Sequence, residues 1–136
     1  MKHILYILIV AAMLGACGKK EASAEPEQKA EDLAAEAALT AYKALYDGDT
    51  QKFLDTRLHA ADMPQDFRET MLNAAAQHVA QVKSERRGVS KVTLSRAQED
   101  KSLGIIQVFL LLNYGDGTQE EIVVPMIEHK GQWLIK

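Results

Sequence analysis

The sequence predicts an α+β fold in which helices come first and a four-stranded antiparallel sheet follows. Hydrophobic residues recur with a period of 3.6 before Gly88 and with a period of 2 after it. The segment Gly115-Asp116-Gly117 lies between two hydrophobic runs and is typical of a β-hairpin turn. Helices followed by hairpin-connected strands indicate helices packed on one sheet.

The N-terminal residues 1–16 have the pattern of a secretory signal. Lys2 and His3 precede an apolar run that ends at Leu14 and is too short for a spanning helix, which needs about 20 apolar residues. Leu14-Gly15-Ala16-Cys17 resembles a bacterial lipobox, so we expect cleavage before Cys17 and lipidation of its thiol. An ordinary cleaved signal with an unrelated cysteine and an uncleaved short anchor are the alternatives.

Lipidation of Cys17 would bind the protein to a membrane through fatty acyl chains such as palmitate, each buried methylene contributing about 0.8 kcal/mol. Gly18 follows the cysteine where, by resemblance to Gram-negative lipoproteins, an aspartate favours retention in the inner membrane. The expected location is therefore the cell envelope. In a Gram-negative cell it is the outer membrane, on its periplasmic side or at the surface.

Residues 17–29 predict the lipidated cysteine and a flexible tether, because their Lys, Glu, Ala, Ser and Pro content cannot form a core. Residues 30–136 are enough for one domain. With a formal net charge of −3, the chain has no basic surplus, so we expect no nucleic-acid partner.

The first half of the domain predicts three helices. The first runs from about Glu27 to Asp47 and ends at Gly48; Asp49 can cap the second, from Thr50 to about Leu58. The hydrophobic stripe of the first helix contains Ala34, Ala38, Leu39, Ala41, Tyr42, Leu45 and Tyr46. Asp62 and Pro64 open a third helix that ends at Gly88, and its residues predicted to face inward are Phe67, Met71, Leu72, Ala75, Val79 and Val82.

The second half predicts four strands. Val92 and Leu94 lie on the first, and residues 103–114 form a second that is apolar on both faces. Such a strand is central in its sheet or lies in an oligomer interface, which leaves a homodimer through the sheet open. Residues 118–127 and 132–136 are the last two strands. Pro125 cannot donate a backbone hydrogen bond, so we expect a bulge or a bend there.

Two motifs resemble those of the NTF2-like domains. Residues 41–49, Ala-Tyr-Lys-Ala-Leu-Tyr-Asp-Gly-Asp, with Phe53-Leu54, are similar to the end of that family's first helix, and residues 130–135 are similar to its closing strand. With the lipobox, the chain resembles the small NTF2-like lipoproteins of the DUF4878 type. The resemblance implies a curled sheet around the long helix and a cone-shaped cavity. Enzymes of the superfamily place an acid–base pair in this cone, but no motif transfers their catalytic residues to this chain.

The ligand-pocket candidates lie on the predicted helix faces and on the last strand; they are Tyr42, Leu45, Tyr46, Met71, His78 and Trp133. His78, Tyr42 and Asp55 are weak catalytic candidates. His78 could act as a base, although a half-buried histidine bonded to the backbone is the commoner situation. The tyrosines either present hydroxyls to the cavity or bury their rings only. Asp55, His59, Asp62 and Asp66 have a spacing too weak to predict a metal site.

No serine or cysteine nucleophile in a recognisable setting and no glycine-rich phosphate loop occurs in the sequence. We therefore expect a non-enzymatic envelope lipoprotein, without a cofactor, that binds a small apolar ligand or an envelope protein. One alternative is an isomerase-like or cyclase-like enzyme that uses His78 with Tyr42 or Asp55. The other is a structural protein that dimerises through its sheet.

Overall fold

The computed structural model describes residues 29–136, and within it Glu31–Lys136 form one compact unit. The predicted signal, Cys17 and nearly all of the predicted tether lie outside the described residues.

The described chain contains three α-helices, a short 3₁₀ turn and four strands. Helix α1 covers residues 29–46, and its small side chains Ala34, Ala38 and Ala41 are buried. The other helical elements are α2 (Thr50–Asp55), the 3₁₀ turn (Ala60–Asp62) and α3 (Gln65–Arg86). The strands are β1 (Val89–Asp100), β2 (Ile105–Tyr114), β3 (Gln119–His129) and β4 (Gln132–Ile135). None of the helices in this part of the chain is long and apolar enough to cross a membrane.

The turn between α1 and α2 forms as the sequence predicts. Gly48 has φ +95°, a left-handed conformation that strains residues with a Cβ atom. Asp49 caps α2, because its Oδ1 accepts the backbone N–H of Lys52 at 3.1 Å. Helix α2 ends at Asp55, three residues earlier than expected, and the N–H of Leu58 donates to the carbonyl of Ile135 at the end of β4 instead.

The four strands form an antiparallel sheet in the order β1-β2-β3-β4, and the helices pack on this curled sheet. The prediction of an α+β fold with a four-stranded meander is confirmed. Strand β2 is central, as its apolar faces indicate: Val108, Leu110 and Leu112 are buried on one face, whereas Phe109 and Leu111 on the other are only half-buried. The side of the sheet that carries Val108 and Leu110 is therefore the core.

The bulge predicted at Pro125 is wrong. The register between β2 and β3 is continuous through Gln107 and Pro125, and the irregularities lie in β1 instead, at Val89–Lys91 and Leu94–Arg96. Pro125 lies opposite the last residue of the chain, where the N–H of Lys136 donates to the carbonyl of Pro125. The missing proline N–H thus removes one hydrogen bond at the end of the ladder and requires no bend.

Helix α3 is less deeply packed than its sequence pattern indicates. Only Val79 and Val82 are buried, whereas Met71, Leu72 and Ala75 are half-buried. The prediction that Phe67 faces inward is wrong, because this residue is 51% exposed. The half-buried residues of α3 leave a gap beside them, and that gap contains the candidate site.

Candidate functional site

A cavity of about 240 Å³ lies between the three helices of the domain. Most of its lining is aliphatic or aromatic, which is typical of sites that accept small molecules. The lining residues are Tyr42, Leu45, Tyr46, Phe53, Leu54, Arg57, Met71, Ala74, Ala75 and His78. All of them lie on α1, on α2 or directly after it, or on α3.

Helical spacing explains how these side chains come together. Leu45 and Tyr46 lie three and four residues after Tyr42 on α1, so the three side chains share one face. Met71, Ala75 and His78 do the same on α3. The turn at Gly48 brings α2 back against α3, which places Phe53 between the two longer helices.

The cavity differs in position from the cone expected by resemblance. No strand residue lines it, although we expected the sheet to contribute one wall. The inner face of the sheet is closed, because Val108, Leu110 and Met126 have no exposed surface. This cavity therefore lies on the helical side of the domain.

Tyr46 and His78 form a hydrogen-bonded pair across the cavity, with 3.0 Å between the hydroxyl and Nε2. Their rings are tilted at 55° with centroids 5.9 Å apart. Burial raises the pKa of Tyr46, and the nearby Tyr114, Tyr42 and Glu120 raise it further. The hydroxyl therefore stays protonated at neutral pH, and each member of the pair satisfies one polar atom of the other.

Tyr42 contributes a ring that packs edge-on against Phe53, with 5.2 Å between the centroids. Burial raises the pKa of Tyr42, and the positive charge of Arg57 opposes this effect. The hydroxyl therefore remains a neutral donor at physiological pH. Within the described chain, the hydroxyl of Tyr42 has no hydrogen-bond partner, in contrast to that of Tyr46.

Arg57 is the one side chain of the lining that carries a permanent charge. Its backbone is held in place by a bridge to Ile135, and the N–H of Ile135 donates to the carbonyl of Thr56 at 2.8 Å. Arg57 also lines a second cavity of about 370 Å³, which it shares with Met71, Met63, Pro64 and Phe67. Sequence reasoning missed Arg57, because an arginine in a polar turn normally faces solvent.

The other predicted candidates are not brought into this cavity. Asp55 lies on α2, 61% exposed, and its carboxylate accepts from the guanidinium of Arg68 at 2.7 Å. It is therefore not available to orient His78. Trp133 is not part of the lining either; it lies in a separate open groove beside Asp49, Lys52 and Asp55.

Two histidines of the described residues, His59 and His129, lie outside the cavity. His59 and His129 approach each other, with 6.3 Å between their ring centroids. Over residues 29–136, no group of three or more histidine, cysteine, aspartate or glutamate side chains is arranged to hold a metal ion.

Comparisons with known proteins agree on the fold alone. No family model matches the chain, and no curated protein sequence matches it either. The structure of this chain is similar, with a TM-score of 0.57, to a crystal structure from Campylobacter jejuni. That protein is provisionally described as an NTF2-like transpeptidase. The alignment has 17% identity and covers 74% of this chain and 94% of the other. The domain therefore has an NTF2-like fold.

Proposed function

We propose that this chain is a membrane-anchored envelope lipoprotein of the small NTF2-like, DUF4878 type, whose domain binds a small apolar ligand in the helical cavity. The observation that carries the proposal is the cavity between α1, α2 and α3, with its lining of Tyr42, Leu45, Phe53, Leu54 and Met71. Water in an apolar space makes few hydrogen bonds, so an apolar ligand displaces it at little cost.

The polar atoms of the cavity support binding without a reaction. Tyr46 and His78 are paired with each other and His78 is exposed, so a ligand in the cavity leaves neither of them without a hydrogen-bond partner. A general base needs an orienting partner, which is commonly a carboxylate, and no lining residue is acidic. The carboxylate expected to assist His78, that of Asp55, is paired with Arg68.

The activity in the description of the Campylobacter jejuni protein does not transfer to this cavity. Transpeptidation by acyl transfer needs a nucleophile such as serine or cysteine. Neither residue type is among the ten lining residues of the cavity. The enzymatic alternative is an isomerase-like reaction. In it His78 would act with Tyr46, and not with Tyr42 or Asp55 as the sequence indicated. Loss of turnover in His78→Ala would identify this reaction.

The anchor is proposed from the sequence. Leu14-Gly15-Ala16-Cys17 ends a short apolar run, as in a lipobox. Radiolabelled palmitate should enter the wild type in cells, and Cys17→Ser should abolish labelling and release the protein from the membrane fraction. Equal labelling of the two would refute the anchor and leave the binding proposal standing.

Two alanines on α3 give a matched test of the cavity. Ala75 lines it, and its neighbour Ala76 is exposed and does not. Ala75→Phe should fill the cavity and abolish binding of the neutral apolar dye Nile red, measured by fluorescence titration, whereas Ala76→Phe should bind it as the wild type does. A thermal melt of each variant establishes that both are folded.

Equal dye binding by the two folded variants would show that the cavity is not the binding site. Absence of saturable binding by the wild type would contradict the proposal as a whole.

A further inference from the structure

Arg57 lies where the two cavities meet. It lines both the inner cavity of about 240 Å³ and the outer cavity of about 370 Å³. Met71 is the other residue that both share. Arg57 is half-buried, so its guanidinium keeps contact with solvent, and an anionic partner at this junction would form charge-assisted hydrogen bonds with it.

No such partner is present in the part of the chain that the structure covers. The ion pair found there joins Arg68 to Asp55, and no side-chain hydrogen bond of Arg57 occurs. Asp62 is the one acidic residue that lines either cavity, and it is exposed on the outer one. The five N–H donors of the Arg57 guanidinium are therefore open to a ligand.

A second donor faces the same space. Tyr42 lines the inner cavity together with Arg57. Its hydroxyl is neutral and has no partner among residues 29–136, so it can donate a hydrogen bond. A planar guanidinium and one hydroxyl match the two oxygens of a carboxylate. A phosphate dianion would need more cationic groups than this lining supplies.

We propose that the ligand is an aliphatic monocarboxylate whose carboxylate binds Arg57 and Tyr42 and whose chain enters the inner cavity. This inference rests on the proposed function and names its ligand class. The chain would run past Leu45 and Met71 toward Ala75, along the apolar part of the lining. Asp62 repels a carboxylate placed in the outer cavity, which favours a headgroup at the junction.

Octanoate and octanamide test the inference, because they have nearly the same shape and differ in charge. Isothermal titration of the full chain carrying Cys17→Ser should give roughly ten- to a hundredfold tighter binding of octanoate, as expected for a charge-assisted hydrogen bond. Arg57→Met should lower octanoate affinity to the level of octanamide. Arg68→Met removes an arginine outside both cavities and should leave both affinities unchanged.

Tyr42→Phe provides a second variant that keeps the ring and its packing against Phe53. It should weaken octanoate binding several-fold. Equal affinity of the wild type for octanoate and octanamide would overturn the inference and leave apolar binding in place. If neither compound binds while Nile red does, the monocarboxylate is wrong; if none of the three binds, the proposed function fails with it.

Discussion

Gly115→Ala tests how the sheet holds the helix that forms one wall of the cavity. Gly115 begins the turn between β2 and β3, and its N–H donates to the carbonyl of Gly88 at 2.8 Å. The next N–H, of Asp116, donates to the carbonyl of Arg86 at 3.0 Å. This hairpin therefore fixes the C-terminal end of α3, the helix that carries His78.

The expected loss of stability in Gly115→Ala follows from the space around Gly115. A Cβ atom there would collide with the carbonyl oxygen of Arg87 and lie 2.9 Å from the Cβ of the same residue. Arg87 has φ +61° and cannot move without disturbing the end of the helix. Loss of the two hydrogen bonds together with strain should destabilise the domain by about 2–4 kcal/mol, which lowers the melting temperature by roughly 10–20 °C.

Thermal unfolding followed by circular dichroism measures the effect, with Gly117→Ala as the control. Gly117 lies in the same turn at φ +88°, and a Cβ there meets no atom within 4 Å. Its substitution adds conformational strain of about 1–2 kcal/mol and no collision. Hydrogen exchange should show lost protection of the amides at 115 and 116 only in Gly115→Ala. Equal melting temperatures of Gly115→Ala and Gly117→Ala, with protection of the amides at 115 and 116 intact in both, would refute the contact between this turn and the end of α3.

Three further predictions concern the turns and the polar groups. Gly48→Val should lower the melting temperature by several degrees, because valine is strained at the φ of +95°, and an unchanged melt would contradict this. Burial and the hydrogen bond to Glu120 raise the pKa of Tyr114 to about 12, so this residue adds stability below pH 10 that is lost as pH approaches 12. In urea titrations, the free energy of unfolding should therefore fall between pH 8 and pH 11, and it should fall less in Tyr114→Phe. An identical fall in the two proteins would contradict this prediction. His78→Ala should change the affinity for an apolar dye by less than about tenfold, and Leu45→Ala should change it by more. If His78→Ala instead lowers the turnover of a substrate by about 10²–10⁴-fold, His78 is a general base.

The order of helices and strands could be predicted because local sequence encodes it. The change of hydrophobic period at Gly88, the left-handed turn at Gly48 and the hairpin at residues 115–117 each act over a few residues. The position of Phe67 could not be predicted in this way. Whether a helix residue is covered depends on what packs against the helix, and Phe67, in the first turn of α3, is exposed.

In the candidate site, too, the local features could be predicted from the sequence and the long-range contacts could not. The spacing of Tyr42, Leu45 and Tyr46 was enough to place them on one face of α1. Asp55 and Arg68 are 13 residues apart in sequence and pair across two helices, and the position of Arg57 depends on the bridge to Ile135 at the far end of the chain. Such long-range contacts follow from tertiary packing, and no local pattern in the sequence indicates them.

The central claim is that the cavity between the helices binds an apolar ligand, and Met71 reports on it most directly. Methyl NMR of the protein with ¹³C-labelled methionine, titrated with octanamide, distinguishes this residue in the cavity wall from Met126, which lies in β3 and is fully buried. The account predicts a saturable shift of the Met71 methyl signal with Met126 unchanged. A saturable shift at Met126 without one at Met71, or none at either, would contradict it.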